Sequence, residues 1–151
     1  MRRNILLFIR VLLGVLFIVS GGEKAVGPSE NFLYVIQAYQ ILPDPLAQLA
    51  SVFFPWAELF IGLSILLGIW LDVGLIALAG VSCSLILMVG QAIVRNLPID
   101  SCGCFGSLVH LPLRGVIILD VTVLVSTLFC LRNIDQARWL SLDNYFVKTR
   151  S

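Results

Sequence analysis

Charge is what this chain has least of. Only 13% of its 151 residues are Asp, Glu, Lys or Arg, against 59% that are hydrophobic. An ordinary soluble domain carries about 25% charge. A chain this poor in charge cannot cover a water-facing surface, and the mean hydropathy of +1.00 points the same way. The class is therefore an integral membrane protein. Ten basic residues against nine acidic ones leave a net charge of +1, so there is no broad basic field and nucleic acid is not expected as a partner. The alternating pattern of membrane β-strands is absent, which excludes a closed barrel. Internal repeats and low-complexity tracts are absent too, and the length fits one domain over residues 1–151.

What is present is a set of apolar runs. About 20 apolar residues span a bilayer as a helix. Four segments meet that length, at about 5–20, 45–70, 73–94 and 115–131. The expected fold class is all-α: a membrane four-helix bundle with a short extra helix in the first outer loop. Orientation follows from Lys and Arg placement. With the N-terminus inside, seven of the ten basic residues fall inside: Arg2, Arg3, Arg10, Arg132, Arg138, Lys148 and Arg150. Lys24, Arg95 and Arg114 fall outside. Both termini are thus expected in the cytoplasm, and the loop after the third span on the outer face.

The start of the chain, Met1-Arg2-Arg3 and an apolar run, has the outline of a signal peptide. Arg10 breaks that run, and cleavage would leave the C-terminal basic residues outside, so a retained first helix is expected. Arg10 is expected to snorkel to the inner headgroups. Gly21, Gly22, Gly27 and Pro28 read as helix breakers. Residues 29–41 read as a short helix, lying along the interface or folded over the bundle. Asp44-Pro45 reads as a capped helix start, Pro55 as a kink, and Leu71-Asp72 as a tight turn. Gly74, Ala77, Gly80, Ser82, Ser84 and Gly90 promise close helix packing in the third span. Cys83 reads as a packing residue. Cys83 and Cys130 lie too far apart in depth to be bridged. Glu58 and Asp120 stand out, because a carboxyl within a membrane helix is by default a functional hypothesis. Lys24, Arg95 and Arg114 are explained by interfacial anchoring alone.

The chemistry centres on Ser101-Cys102-Gly103-Cys104-Phe105-Gly106. Bridged cysteines have Cα atoms about 4.4–6.8 Å apart, which an i,i+2 pair reaches only through a sharp turn, here at Gly103. A strained, exposed disulfide is of the labile, catalytic kind, and the outer face is where disulfides persist. Exchange proceeds through a thiolate, which nearby positive charge favours. Arg95 and His110 are the candidates for that task, with Arg114 close in sequence, and Glu58 or Asp120 for moving protons. A cofactor is not required by any motif. A quinone could dock beside Trp56, Glu58, Gln91 and Arg95. Two other readings stay open: a static staple in a non-enzymatic assembly factor, or a metal or small-molecule carrier. Cys102, Cys104, His110 and Asp100 would be the metal ligands, although structural zinc uses wider cysteine spacing.

Cys-Gly-Cys-Phe-Gly after a third membrane helix resembles the methylamine-utilisation MauE family, within the wider DoxX-like group. The likeness covers about residues 6–131. Its other parts are Arg10, Gly14, Phe17, Ser20-Gly21 and Lys24, then Tyr39 and Pro43, then Glu58 with Gly62. The resemblance implies a redox-associated protein of the bacterial inner membrane, with the cysteine loop on the periplasmic side. It implies help in forming or shuffling disulfides in exported proteins, often with a thioredoxin-like partner. The client implied in methylamine users is the small subunit of methylamine dehydrogenase.

Overall fold

The structure is a computed structural model, and it describes residues 2–97 and 113–137. Cys102, Cys104 and His110 lie outside the described residues. Six helices occur among those described: α1 (Arg2–Val26), α2 (Ser29–Ala38), α3 (Asp44–Leu67), α4 (Leu71–Val94), α5 (Leu113–Arg132) and α6 (Ile134–Ala137). Four of them, α1, α3, α4 and α5, are long and apolar enough to cross a membrane. The all-α expectation holds, with the short extra helix between the first two spans.

The four long helices pack as a ring. α1 lies against α3, α3 against α4, α4 against α5, and α5 back against α1. The widest contacts are α1 with α3 and α4 with α5. Large apolar side chains such as Phe8, Phe53, Phe60, Leu87, Val94 and Ile118 point outward. An exterior of this kind is suited to lipid and not to water. The interior has two apolar clusters. One is built on Leu6, Leu13, Phe17, Ile65, Leu71, Leu75 and Leu78. The other, beneath α2, joins Tyr39 to Val89, Ala92 and Val116.

Several boundaries differ from the sequence expectation, each for a physical reason. α1 does not stop at Ser20 but continues to Val26. Gly21 is inside the helix because α3 passes too close for a side chain. A Cβ there would come within 2.7 Å of the Leu59 nitrogen and 2.8 Å of the Pro55 carbonyl oxygen. α3 ends at Leu67, three residues early, because Gly68 turns left-handed at φ 69°. The tight turn is therefore 68–70, not Leu71-Asp72, and those two residues open α4. Asp44 is the first residue of α3 and makes no cap with its side chain. It instead accepts a hydrogen bond from Gln37 Nε2 at 3.0 Å, tying α3 to α2. α3 continues as helix on both sides of Pro55.

Close packing is also located elsewhere than expected. At Gly80 and Gly90 of α4, nothing lies within 4 Å of the place a methyl group would take. Only Gly74 of that helix has a near neighbour, Ile65, at 3.2 Å. The tight seam is α1 against α3, through Gly14, Gly21 and Gly62. Arg10 does not snorkel. It is buried and donates through Nη1 to the Ala137 carbonyl at 2.8 Å, satisfying the end of α6. Cys83 faces outward and Cys130 is buried, and both are free thiols.

The seam yields a direct test. In Gly62→Ala the new methyl would meet the Ile18 nitrogen at 2.8 Å, backbone that cannot yield without shifting a helix. This overpacking is expected to destabilise by about 1–3 kcal/mol. Gly80→Ala, with open space around it, is expected to be neutral or stabilising by up to about 1 kcal/mol. Thermal unfolding of the two variants in detergent checks the contrast.

Candidate functional site

The continuation of α1 past its glycine pair sets up the site. Ser20 and Lys24 are four residues apart on one helix and so share a face. Gly21, between them, lets that face approach α3 at the level of Glu58. Lys24 Nζ lies 2.7 Å from Glu58 Oε2. It also donates to Ser20 Oγ at 3.1 Å, and Ser20 Oγ lies 3.4 Å from the same carboxylate oxygen. All three residues are buried, Glu58 with 2% of its surface exposed. The ammonium is also 5.2 Å from the centre of the Phe32 ring and 6.0 Å from that of Phe54. These two rings stack with centroids 6.1 Å apart. Cation–π attraction of this kind strengthens where water is excluded.

Asp120 Oδ2, the Tyr39 hydroxyl and Ser82 Oγ find no hydrogen-bond partner among the described residues. Buried polar atoms are normally paired, so an orphan carboxyl oxygen this close to a buried ion pair marks the region as unusual. Asp120 is within electrostatic reach of both Glu58 and Lys24, and of Tyr39. Burial, with the Asp120 charge adding to it, raises the Tyr39 phenol above its ordinary value of 10.0. Tyr39 therefore stays neutral and keeps its proton. Glu58, Asp120 and Tyr39 are thus three buried titratable groups, from α3, α5 and the end of α2, each within electrostatic reach of the next. Glu58 is the fifteenth residue of the 24 in α3, about 21 Å along the helix at 1.5 Å per residue. The carboxylate thus lies near mid-depth of α3.

The sequence candidates divide as follows. Glu58 and Asp120 come together. Trp56 does not join them: it is 51% exposed, because two helical positions turn it to the far side of α3. Gln91 is half-buried on α4. Arg95 is exposed at the end of α4, with Nη2 3.5 Å from Gln40 Oε1. Cys102, Cys104 and His110 belong to the segment 98–112, outside the described residues, which joins α4 to α5. Lys24 corrects an expectation: it is no interfacial anchor but the buried partner of Glu58. Ser20, Tyr39 and Ser82 are additions that sequence reasoning does not single out for chemistry. The four-residue spacing of Ser20 and Lys24 is the available signal, hidden when Gly21-Gly22 is read as a helix end. Among the described residues no group of three or more His, Cys, Asp or Glu is placed to hold a metal ion.

Beside the ion pair, beneath α2, lies a cavity of about 200 Å³. Its wall is almost wholly apolar, built by side chains of α2, α3 and α4 with Leu42, and Lys24 and Ser84 contribute little polar surface to it.

Removing one partner of a buried ion pair strands the other, at about 3–5 kcal/mol. Lys24→Met is expected to destabilise by that amount. Adding Glu58→Gln is expected to restore much of the loss, since no charge is then left unpaired. A double-mutant cycle in detergent, read by thermal or denaturant unfolding, measures the coupling.

No curated protein and no solved structure matches the chain significantly. The sequence model of the family described as "Methylamine utilisation protein MauE" matches residues 2–132. That match takes in every membrane-length helix, the Lys24–Glu58 pair and the cysteine segment. The chain belongs to the MauE family of methylamine-utilisation-associated membrane proteins.

Proposed function

We propose that the protein is a membrane thiol–disulfide redox protein that assists disulfide formation in exported proteins. Cys102 and Cys104 are its exchanging pair. The observation that supports this reading is the set of buried titratable groups gathered around Asp120. Glu58, Asp120 and Tyr39 run from the middle of the bundle toward the ends of α4 and α5, between which the two cysteines lie in sequence. A scaffold has no use for a run of buried acids in a membrane interior. A dithiol that cycles does, because each oxidation to a disulfide releases two electrons and two protons.

In the exchange step the Cys102 or Cys104 disulfide sulfur is attacked by a client thiolate. A mixed disulfide forms and resolves, leaving the client oxidised and the pair reduced. Arg95 and His110 favour the thiolate by their charge. Glu58 and Asp120 then take and pass on protons as the pair is re-oxidised by a quinone or by the disulfide of a thioredoxin-like partner, either of which takes up the two electrons. The distribution of basic residues supports an arrangement with both termini in the cytoplasm and the cysteine segment on the periplasmic side of the bacterial inner membrane. Membership of the MauE family supports a client such as the disulfide-rich small subunit of methylamine dehydrogenase, with a thioredoxin-like partner. The wider DoxX-like kinship belongs to the same reading. A second reading is favoured by the ion pair itself, which joins α1 to α3 as a structural element would: a non-enzymatic assembly factor with a permanent bridge.

The reduction potential of the cysteine pair separates the two. It is measured by thiol alkylation of the detergent-solubilised protein in glutathione buffers. An exchange-competent bridge is expected at about −200 mV or higher, and a structural staple below about −300 mV. Cys102→Ser is expected to abolish client oxidation without loss of membrane insertion. Client oxidation at the wild-type level in the Cys102→Ser, Cys104→Ser double variant would sink the redox reading.

A further inference from the structure

We propose that Asp120 is a proton-binding site: its carboxyl holds the one proton of the buried acid pair, while Glu58 stays ionised against Lys24. The proposal deepens the redox reading by saying which acid carries the proton. It rests on that reading only for the use to which the proton is put.

Charge balance calls for one proton. Lys24, Glu58 and Asp120 are all buried, with 7%, 2% and 4% of their surfaces exposed. Glu58 and Lys24 are the charges that act on Asp120. Fully ionised, the three would leave one net negative charge in an apolar interior. A buried ion without a partner is so costly that the group neutralises instead. No other charge among the described residues is placed to do this. Asp72, Arg132 and Asp135 lie toward the opposite end of the bundle, at the ends of α4 and α5 and in α6. Arg10 is engaged there by the Ala137 carbonyl. Arg95 and Arg114 are exposed.

The contacts decide which carboxyl holds the proton. Glu58 Oε2 accepts from Lys24 Nζ at 2.7 Å and lies 3.4 Å from Ser20 Oγ. A cation in contact and hydrogen bonds to the charged form both favour an ionised carboxylate. Asp120 lacks that support. Its Oδ2 has no hydrogen-bond partner among the described residues, and Lys24 is already committed to Glu58. An ionised carboxylate is the state for which a missing partner costs most, so the acid with the orphan oxygen is the neutral one. Tyr39 is within electrostatic reach of Asp120, and its hydroxyl too is without a partner. A phenol can give or accept a hydrogen bond but brings no positive charge, so it does not remove the need for the proton. Two carboxyls whose surroundings differ in this way take different roles. Glu58 is the fixed counter-ion of the α1–α3 clasp, and Asp120 is the acid with a proton to give.

The test is infrared spectroscopy of the full-length protein in detergent, prepared once with carboxyl-13C aspartate and once with carboxyl-13C glutamate. Spectra are taken between mildly acidic and neutral pH, well above the value of about 3.9 at which exposed aspartates titrate. The isotope shift assigns each neutral carboxyl band to one residue type. A neutral band is expected in the aspartate sample and not in the glutamate sample. It is expected to vanish in Asp120→Asn and to persist in the Cys102→Ser, Cys104→Ser variant. Because Asn keeps the size and neutrality of the protonated acid, Asp120→Asn is also expected to unfold within a few degrees of wild type. A neutral band in the glutamate sample alone would overturn the proposal by placing the proton on Glu58. A neutral band in neither sample would overturn it as well, as would a loss of stability in Asp120→Asn as large as that in Lys24→Met. The band and the thiol potential are separate readouts. A neutral Asp120 beside a structural staple would leave this site standing without the redox reading, and an ionised Asp120 beside an exchange-competent bridge would do the reverse.

Discussion

The buried ion pair between Lys24 and Glu58 is the constraint on which the rest of the structure depends. Two opposite charges in an apolar interior are tolerable only when held in contact with their remaining valences satisfied. That contact requires α1 and α3 to approach closely, and the approach is built from Gly14, Gly21 and Gly62. It also requires α1 to continue a turn and more beyond its glycine pair. Three features of the sequence that look unrelated thus serve one distance of 2.7 Å. In lipid, helices gain little from apolar contact alone, so a polar clasp between two closely packed helices does the organising that a hydrophobic core does in water.

The same clasp divides the bundle by character. On one side of it, toward the turn between α3 and α4, the interior is a continuous apolar core. Arg10 is the charged exception there, and it is taken up by the carbonyl of Ala137. On the other side, toward α2, lie Asp120, Tyr39 and the cavity roofed by Phe32. Unpartnered polar atoms and empty space both weaken a fold. Their placement together, between the ion pair and α2, is what separates this region from ordinary packing. The redox reading would give the acids protons to handle.

Much of this is legible in the residues. The four spans, their all-α character and the short helix between the first two follow from hydropathy, because the bilayer enforces length so strictly. Glu58 and Asp120 are visible because carboxyls stand out against an apolar background. Lys24 is not, because its place in a supposed loop makes it look like an anchor. The difference traces to Gly21, which reads as a breaker in isolation and is a packing residue in context. Arg10 misleads for a related reason. Its partner is a backbone carbonyl 127 positions away, and no local pattern announces such a contact. Trp56 shows the reverse failure: nearness in sequence to Glu58 suggests a shared site, whereas helical geometry puts the two on opposite faces. Tyr39 becomes notable only through its burial against α4 and α5.

If the buried acids serve the cysteine pair, their protonation must follow its redox state. Infrared difference spectroscopy between the oxidised and reduced forms of the full-length protein reads this most directly. A carboxyl band is expected that changes with the redox state of the thiols and is lost or shifted in Glu58→Gln or Asp120→Asn. A difference spectrum without carboxyl bands, or one identical in wild type and both variants, would contradict the link between acids and thiols.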